Sequence, residues 1–157
     1  MLVYNRLAKE ARTVAGIMED PFKAISILYR KSHIWLHEGC EKYDLTAAQA
    51  VVILIVCDHG ELTQDEITKR LGLDKSVIAK TVTKLTELGF LVRSTNAKDK
   101  RTFIISPTEK AWNVYPHVQA LIEGCFARMS GRMTEAERSE FKRLLLLAAD
   151  EAITYGE

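Results

Sequence analysis

The residues from Thr63 to Arg101 carry the chemistry that is easiest to name. Nine basic side chains (Lys69, Arg70, Lys75, Lys80, Lys84, Arg93, Lys98, Lys100 and Arg101) stand there against five acidic ones (Asp65, Glu66, Asp74, Glu87 and Asp99). The stretch is therefore locally +4 in a chain of formal net charge +1, which leaves the remainder at −3. Net charge alone implies no polyanionic partner, but cationic charge concentrated in one segment is where a nucleic-acid footprint would lie. Within Lys75–Leu88, Ser76, Lys80 and Lys84 recur every four residues, with Val77, Ala79 and Thr83 beside them and Ile78, Val82 and Leu85 opposite. An apolar face backing a face of small, hydroxyl and cationic side chains suits a helix that enters a DNA groove, where acidic groups would be repelled by phosphate. Lys98, Lys100 and, at its edge, Arg101 place three further positive charges on a short polar loop.

These groups need elements to hold them. Thr63-x-x-Glu66 is a capping box that opens a short helix carrying Ile67 and Leu71 and stopped by Gly72. Leu73 is placed to plug the core, Asp74 to cap the following helix, and Gly89 to end it. Phe90–Thr95 and Arg101–Ser106 are rich in β-formers and flank Asn96-Ala97-Lys98-Asp99-Lys100, which reads as a hairpin with a basic tip. The stretch thus predicts helix, tight turn, longer helix and hairpin.

The rest of the chain reads as a helical scaffold. Leu7, Ala11, Val14 and Met18 form a helical stripe over residues 2–18, and Asp20-Pro21 caps and starts a second helix to about Lys42. Phe22, Ile25, Leu28, Tyr29, Ile34, Trp35 and Leu36 cover more than one of its faces, so it packs against two surfaces, a second subunit being a natural candidate. Thr46 caps the almost wholly apolar AAQAVVILIVC run, which must be central to the core. Pro107-Thr108 ends the second strand and caps a helix in which Pro116 predicts a kink. Thr134-x-x-Glu137 opens the last helix, to about Tyr155, and Phe141 with Leu144–Leu147 supplies more apolar surface than one face can bury. Both chain ends therefore predict a helical homodimer interface.

At 157 residues, 47% hydrophobic and 27% charged, the chain has the length of one domain and an ordinary globular composition. No apolar run reaches the length of a membrane span, so no membrane partner is expected. Three cysteines without motif spacing, and Lys9, Glu10 and Arg12 where a signal peptide needs an apolar core, predict a cytoplasmic location. There is no Gly-rich phosphate loop, paired metal motif or nucleophile elbow, so an enzyme is not expected and no cofactor is implied.

Taken together, LTAAQAVVIL, LTQDEITKRLGLDKSVIAKTVTKLTELGFLVR and NAKDKRTFIISPTEKA resemble the MarR family of winged helix-turn-helix regulators over about residues 45–111. The resemblance implies a mainly α fold with a β-hairpin wing: dimerisation helices in 1–44 and 109–157, and a winged helix-turn-helix in 45–108. It implies a transcriptional regulator, a repressor by family default, that binds a near-palindromic double-stranded DNA operator as a homodimer. Lys75, Ser76, Val77, Ala79, Lys80, Thr83 and Lys84 would face the major groove, and Lys98, Asp99, Lys100 and Arg101 the minor groove. Arg101 would contact DNA while Asp99 orders the wing. Two departures stand out: Pro107-Thr108-x-x-Ala111 replaces the usual Leu-Thr-x-x-Gly, and Lys100 stands where a second arginine is common.

Other constellations carry weaker chemistry. His33 and His37, with Glu38, Cys40 and Glu41 nearby, suggest a zinc site, but without a tight ligand cluster they read better as a polar helix surface. Cys57 and Cys125 lie in apolar runs; Cys40, beside Lys42 and Tyr43, is the only candidate for an oxidant-sensing thiol. Tyr29, His33, Trp35 and Trp112 are candidates for a pocket that would take a small aromatic or phenolic effector, although aromatic residues on helices more often belong to the core. An adaptor using the same winged helix for protein contacts is the rival of a different class, and the charge separation favours DNA.

Overall fold

Residues 20–154 are described by a computed structural model. The stripe read over residues 2–18 and the last residues, from Tyr155, lie outside it. In chain order come α1 (Pro21–Cys40), a 3-10 turn (Glu41–Tyr43), α2 (Ala47–His59), β1 (Leu62–Thr63), α3 (Gln64–Leu71), α4 (Lys75–Glu87), β2 (Leu91–Thr95), β3 (Phe103–Pro107), α5 (Glu109–Met129) and α6 (Glu135–Thr154). Among the described residues, no helix is long and apolar enough to cross a membrane.

The helices start where side chains satisfy their unpaired backbone N–H groups. The Asp20 carboxylate accepts from the Phe22 N–H at 3.0 Å ahead of Pro21. Thr46 forms a capping box with Gln49, Thr63 with Glu66 and Thr134 with Glu137. Bonds from the Thr63 backbone and hydroxyl hold the Glu66 carboxyl below its ordinary pKa, since they favour the charged form. Asp74 occupies the cap position of α4, but its side chain makes no capping bond.

α2 is apolar all round and sits at the centre, with Ala50, Val52, Ile53 and Val56 buried. Around it the core gathers Ile67 from α3, Ile78, Val82 and Leu85 from α4, Leu91 and Ile105 from the sheet, and Val114 and Val118 from α5. Gly72 closes α3 in the left-handed region, φ +59°, and the Leu73 N–H donates to the Thr68 carbonyl at 3.4 Å. Leu73 is left exposed by this turn, not plugged into the core.

The sheet has three antiparallel strands in the order β1-β3-β2, with Leu62 opposite Ile105 and Arg93 opposite Ile105 on the other side. The hairpin was expected; β1, only two residues long, was not. The Thr108 side chain joins wing to scaffold: its hydroxyl donates to the Gly89 and Phe90 carbonyls at 2.7 and 3.0 Å and accepts from the Ala111 N–H. Ala111 is fully buried, so this departure from the usual Gly still places a very small residue in a tight site. α5 runs on through Pro116 without a break in its helix.

α1 crosses α5 at Gly39, where an added β-carbon would overlap the Leu121 isobutyl group. Gly→Ala inside a helix ordinarily stabilises by about 0.5–1 kcal/mol. Here the overlap reverses the sign, and Gly39→Ala is expected to destabilise by about 1–3 kcal/mol. Urea unfolding would show a lower midpoint at unchanged slope; a raised midpoint would refute the close crossing.

Candidate nucleic-acid interface

α4 turns its apolar row inward because Ile78, Val82 and Leu85 lie four and three residues apart, and all three are buried. The opposite side leaves Lys75, Ser76, Val77, Lys80, Thr83 and Lys84 exposed and Ala79 half-buried. Lys75 pairs with Asp65 at 3.0 Å and Lys84 with Glu87 at 3.6 Å, both in solvent, where such pairs hold little energy and exchange readily for phosphate. No carboxylate among the described residues pairs with Lys80. A shallow concavity bordered by Ala79, Lys80, Thr83 and Lys84 follows this face.

The wing tip, residues 96–102, is shaped by two side chains. Asn96 accepts from the Lys98 N–H at 2.9 Å and donates to the Thr102 hydroxyl at 2.9 Å. Asp99 accepts from the Arg101 N–H at 3.0 Å and from its Nε at 3.2 Å, while its carbonyl accepts from Thr102. Arg101 is thereby anchored at its base while its side chain stays 91% exposed, with its remaining guanidinium donors toward solvent. Lys98 and Lys100 flank it, both exposed. The role of Asn96 was missed, although an Asn two residues before an unpaired N–H is the mark of an Asx-turn. Arg93 also escaped the candidate set: strand β2 carries it onto the cleft beside Arg101.

The remaining candidates do not converge. Tyr29 and His33 lie side by side on α1, their ring centroids 4.4 Å apart and their planes tilted by 46°. Trp35, six residues after Tyr29 and so separated from it by about 120° around the helix axis, donates from Nε1 to the Leu121 carbonyl at 2.9 Å. Its ring lies under the Arg128 guanidinium at 5.1 Å. Trp112 is half-exposed on α5 against Tyr115, whose hydroxyl donates to Asp58. Of the four expected pocket residues, only Trp35 lines the cleft of about 450 Å³ between α1 and α5, together with Cys125, Arg128 and Met129.

Cys40, the candidate for an oxidant-sensing thiol, lies inside the core. Cys40 is fully buried, and burial pushes its thiol pKa up in spite of Lys42, which disfavours the reactive thiolate. Cys57 is also buried and pushed up to about 11. Cys125 alone is partly open, and its pKa too is raised by desolvation. Around His33 and His37, and elsewhere among the described residues, no three His, Cys, Asp or Glu side chains come together to share a metal ion.

Comparison with known proteins agrees with this geometry. A family model described as MarR family matches residues 43–102. The HTH-type transcriptional repressor MdtR of Bacillus subtilis is 26% identical over 138 residues, spanning 88% of this chain and 89% of its own. A crystal structure of MarR superposes with TM-score 0.78 at 26% identity, covering 88% of this chain and 95% of that one. A mutant MarR from E. coli complexed with operator DNA shares the fold, with TM-score 0.72 at 22% identity over 80% of this chain and 91% of that one. With a helix-turn-helix and a wing, the chain matches the MarR family over residues 43–102 and along most of its length is similar to winged-helix transcriptional regulators of that family.

Proposed function

We propose that the protein is a cytoplasmic repressor that grips a near-palindromic operator as a homodimer and lets go when a small aromatic or phenolic ligand binds. Lys75, Ser76, Val77, Ala79, Lys80, Thr83 and Lys84 enter the major groove, and Lys98, Lys100 and Arg101, ordered by Asp99, reach the minor groove. The observation that carries this reading is the pairing of two exposed cationic elements, α4 and the wing tip, with a helix that has no buried residue of its own. Along α6, Leu144, Leu145, Leu146 and Leu147 are all exposed, and α1 exposes Phe22, Ile25 and Tyr29. Apolar surface of this kind on helices from both chain ends supports dimerisation through residues 1–44 and 109–157, which carries two copies of the 45–108 unit. The repressor assignment is supported by the name of the B. subtilis relative, and operator binding by the E. coli complex. The effector reading rests on the Trp35–Arg128 cleft, where an aromatic ring and two cations, Lys31 and Arg128, against one carboxylate, Glu38, suit a small aromatic anion.

The test is to let the protein select duplexes from a randomised pool and to footprint the winners. Two protected half-sites related by a two-fold axis, about 10 base pairs apart or a multiple of that, are expected. A single asymmetric footprint would refute the dimeric reading, and the absence of any selected duplex would refute sequence-specific binding. Adding salicylate, a phenolic carboxylate, to the bound duplex tests the effector arm, release being the expected result and undisturbed binding at saturating ligand the adverse one.

A further inference from the structure

The cleft between the start of α3 and the hairpin adjoins the wing tip, with which it shares Arg101 and Thr102. It encloses about 230 Å³ and is lined by Thr63, Asp65, Arg93, Arg101, Thr102 and Phe103, with Gln64 completing the wall. Period-2 alternation along β2 puts Arg93 on the same side as Leu91, and the pairing sets it opposite Ile105, so this is the core-facing side of the sheet. Leu91 and Ile105 are buried there, but the row runs out past the core, and at Arg93 the strand is exposed. The Arg93 guanidinium lies over the Phe103 ring at 4.3 Å. A stack of this kind fixes the plane of the group while leaving its edge N–H donors free.

The charges around the cleft are unequal. Arg93 and Arg101 face one carboxylate on its wall, Asp65, whose pair with Lys75 at 3.0 Å is solvent-exposed. No carboxylate among the described residues pairs with Arg93. A preoriented cation beside a second one, in a concavity, is suited to a phosphate oxygen. Placed between the helix-turn-helix and the wing, it meets the strand that runs from one groove contact to the other.

We propose that Arg93 is a phosphate anchor, held in plane by Phe103, that clamps the DNA backbone between α3 and the wing and carries no sequence information. This rests on the DNA-binding reading above. The test uses the full-length protein with two probes, a duplex selected by the wild type and a scrambled duplex of the same length, titrated over a range of salt. Arg93→Gln, which keeps a stem over Phe103 without the charge, is expected to weaken binding to both probes by about tenfold and to lower the slope of log affinity against log salt by about 1. Arg93→Lys is expected to restore most of the slope. Phe103→Leu is expected to keep the slope while losing affinity, since the charge remains but its orientation does not. A slope unchanged in Arg93→Gln overturns the assignment, as does weakening confined to the selected duplex, which would make Arg93 a base reader. A wild type that selects no duplex refutes the DNA-binding reading itself, and the anchor with it.

Discussion

Arg101→Ala is expected to weaken operator binding by about 10- to 100-fold, equivalent to about 1–3 kcal/mol, at fixed salt. The size of the effect follows from the way the side chain is held. The Asp99 carboxylate accepts from both the backbone N–H and the Nε of Arg101, so the guanidinium is anchored at its base while the side chain stays in solvent. Little ordering entropy is left to lose when it enters a groove, and a narrow minor groove supplies the negative potential. Because the side chain buries nothing in the free protein, the melting temperature of Arg101→Ala should match the wild type, which separates a recognition defect from a folding one. Lys80→Ala, on the α4 face, is the companion. It should lose less affinity, evenly across related sequences, and flatten the salt dependence as a lost phosphate contact does. Anisotropy titrations over a salt series read both effects. If both variants bind like the wild type, neither α4 nor the wing is the DNA surface.

What could be read in the residues beforehand was whatever depends on short spacing. The partners of the Thr63/Glu66 and Thr134/Glu137 boxes are three positions apart, and the inward row Ile78, Val82, Leu85 repeats with the helix, so local pattern alone places them. What escaped depends on contacts distant in sequence. β1 exists only because Leu62 and Thr63 find Ile105 and Ile104 some forty positions later. Cys40 stands out as a candidate thiol in the sequence because Lys42 and Tyr43 are its neighbours there. The 3-10 turn and the left-handed Asp44 then fold the chain back, the Leu45 N–H donates to the Cys40 carbonyl, and the thiol ends up inside. Tyr29, Trp35 and Trp112 lie apart for a third reason. Tyr29, Trp35 and Trp112 were grouped by residue type, but helical rotation points Tyr29 and Trp35 in different directions, and Trp112 packs beside Tyr115. Arg93 was counted as charge but not as a site, since its significance lies in Phe103, ten positions on.

The double variant Leu146→Glu/Leu147→Glu is expected to turn a dimer into a folded monomer and to lower operator affinity by at least about 100-fold. Both leucines are more than half exposed, at 62% and 57%, on a helix whose residues are all outside the core. Changing them should therefore cost the single chain little, whereas two carboxylates in an apolar interface would remain unpaired and desolvated in each subunit. The contact of α6 with its own chain at Phe126, stacked on Phe141 at 5.8 Å, is left untouched. Sedimentation equilibrium should report one chain where the wild type gives two. The large effect on DNA has a separate origin: joining two recognition units makes the second half-site contact intramolecular, and avidity of this kind exceeds single-site affinity by about 10²–10⁴. The monomer should keep weak, salt-sensitive binding through α4 and the wing while losing its preference for the two-fold site. A double variant that still sediments as a dimer would mean that α6 is not the joining surface. A monomer that binds the full operator as tightly as the wild type would mean that pairing contributes nothing to recognition.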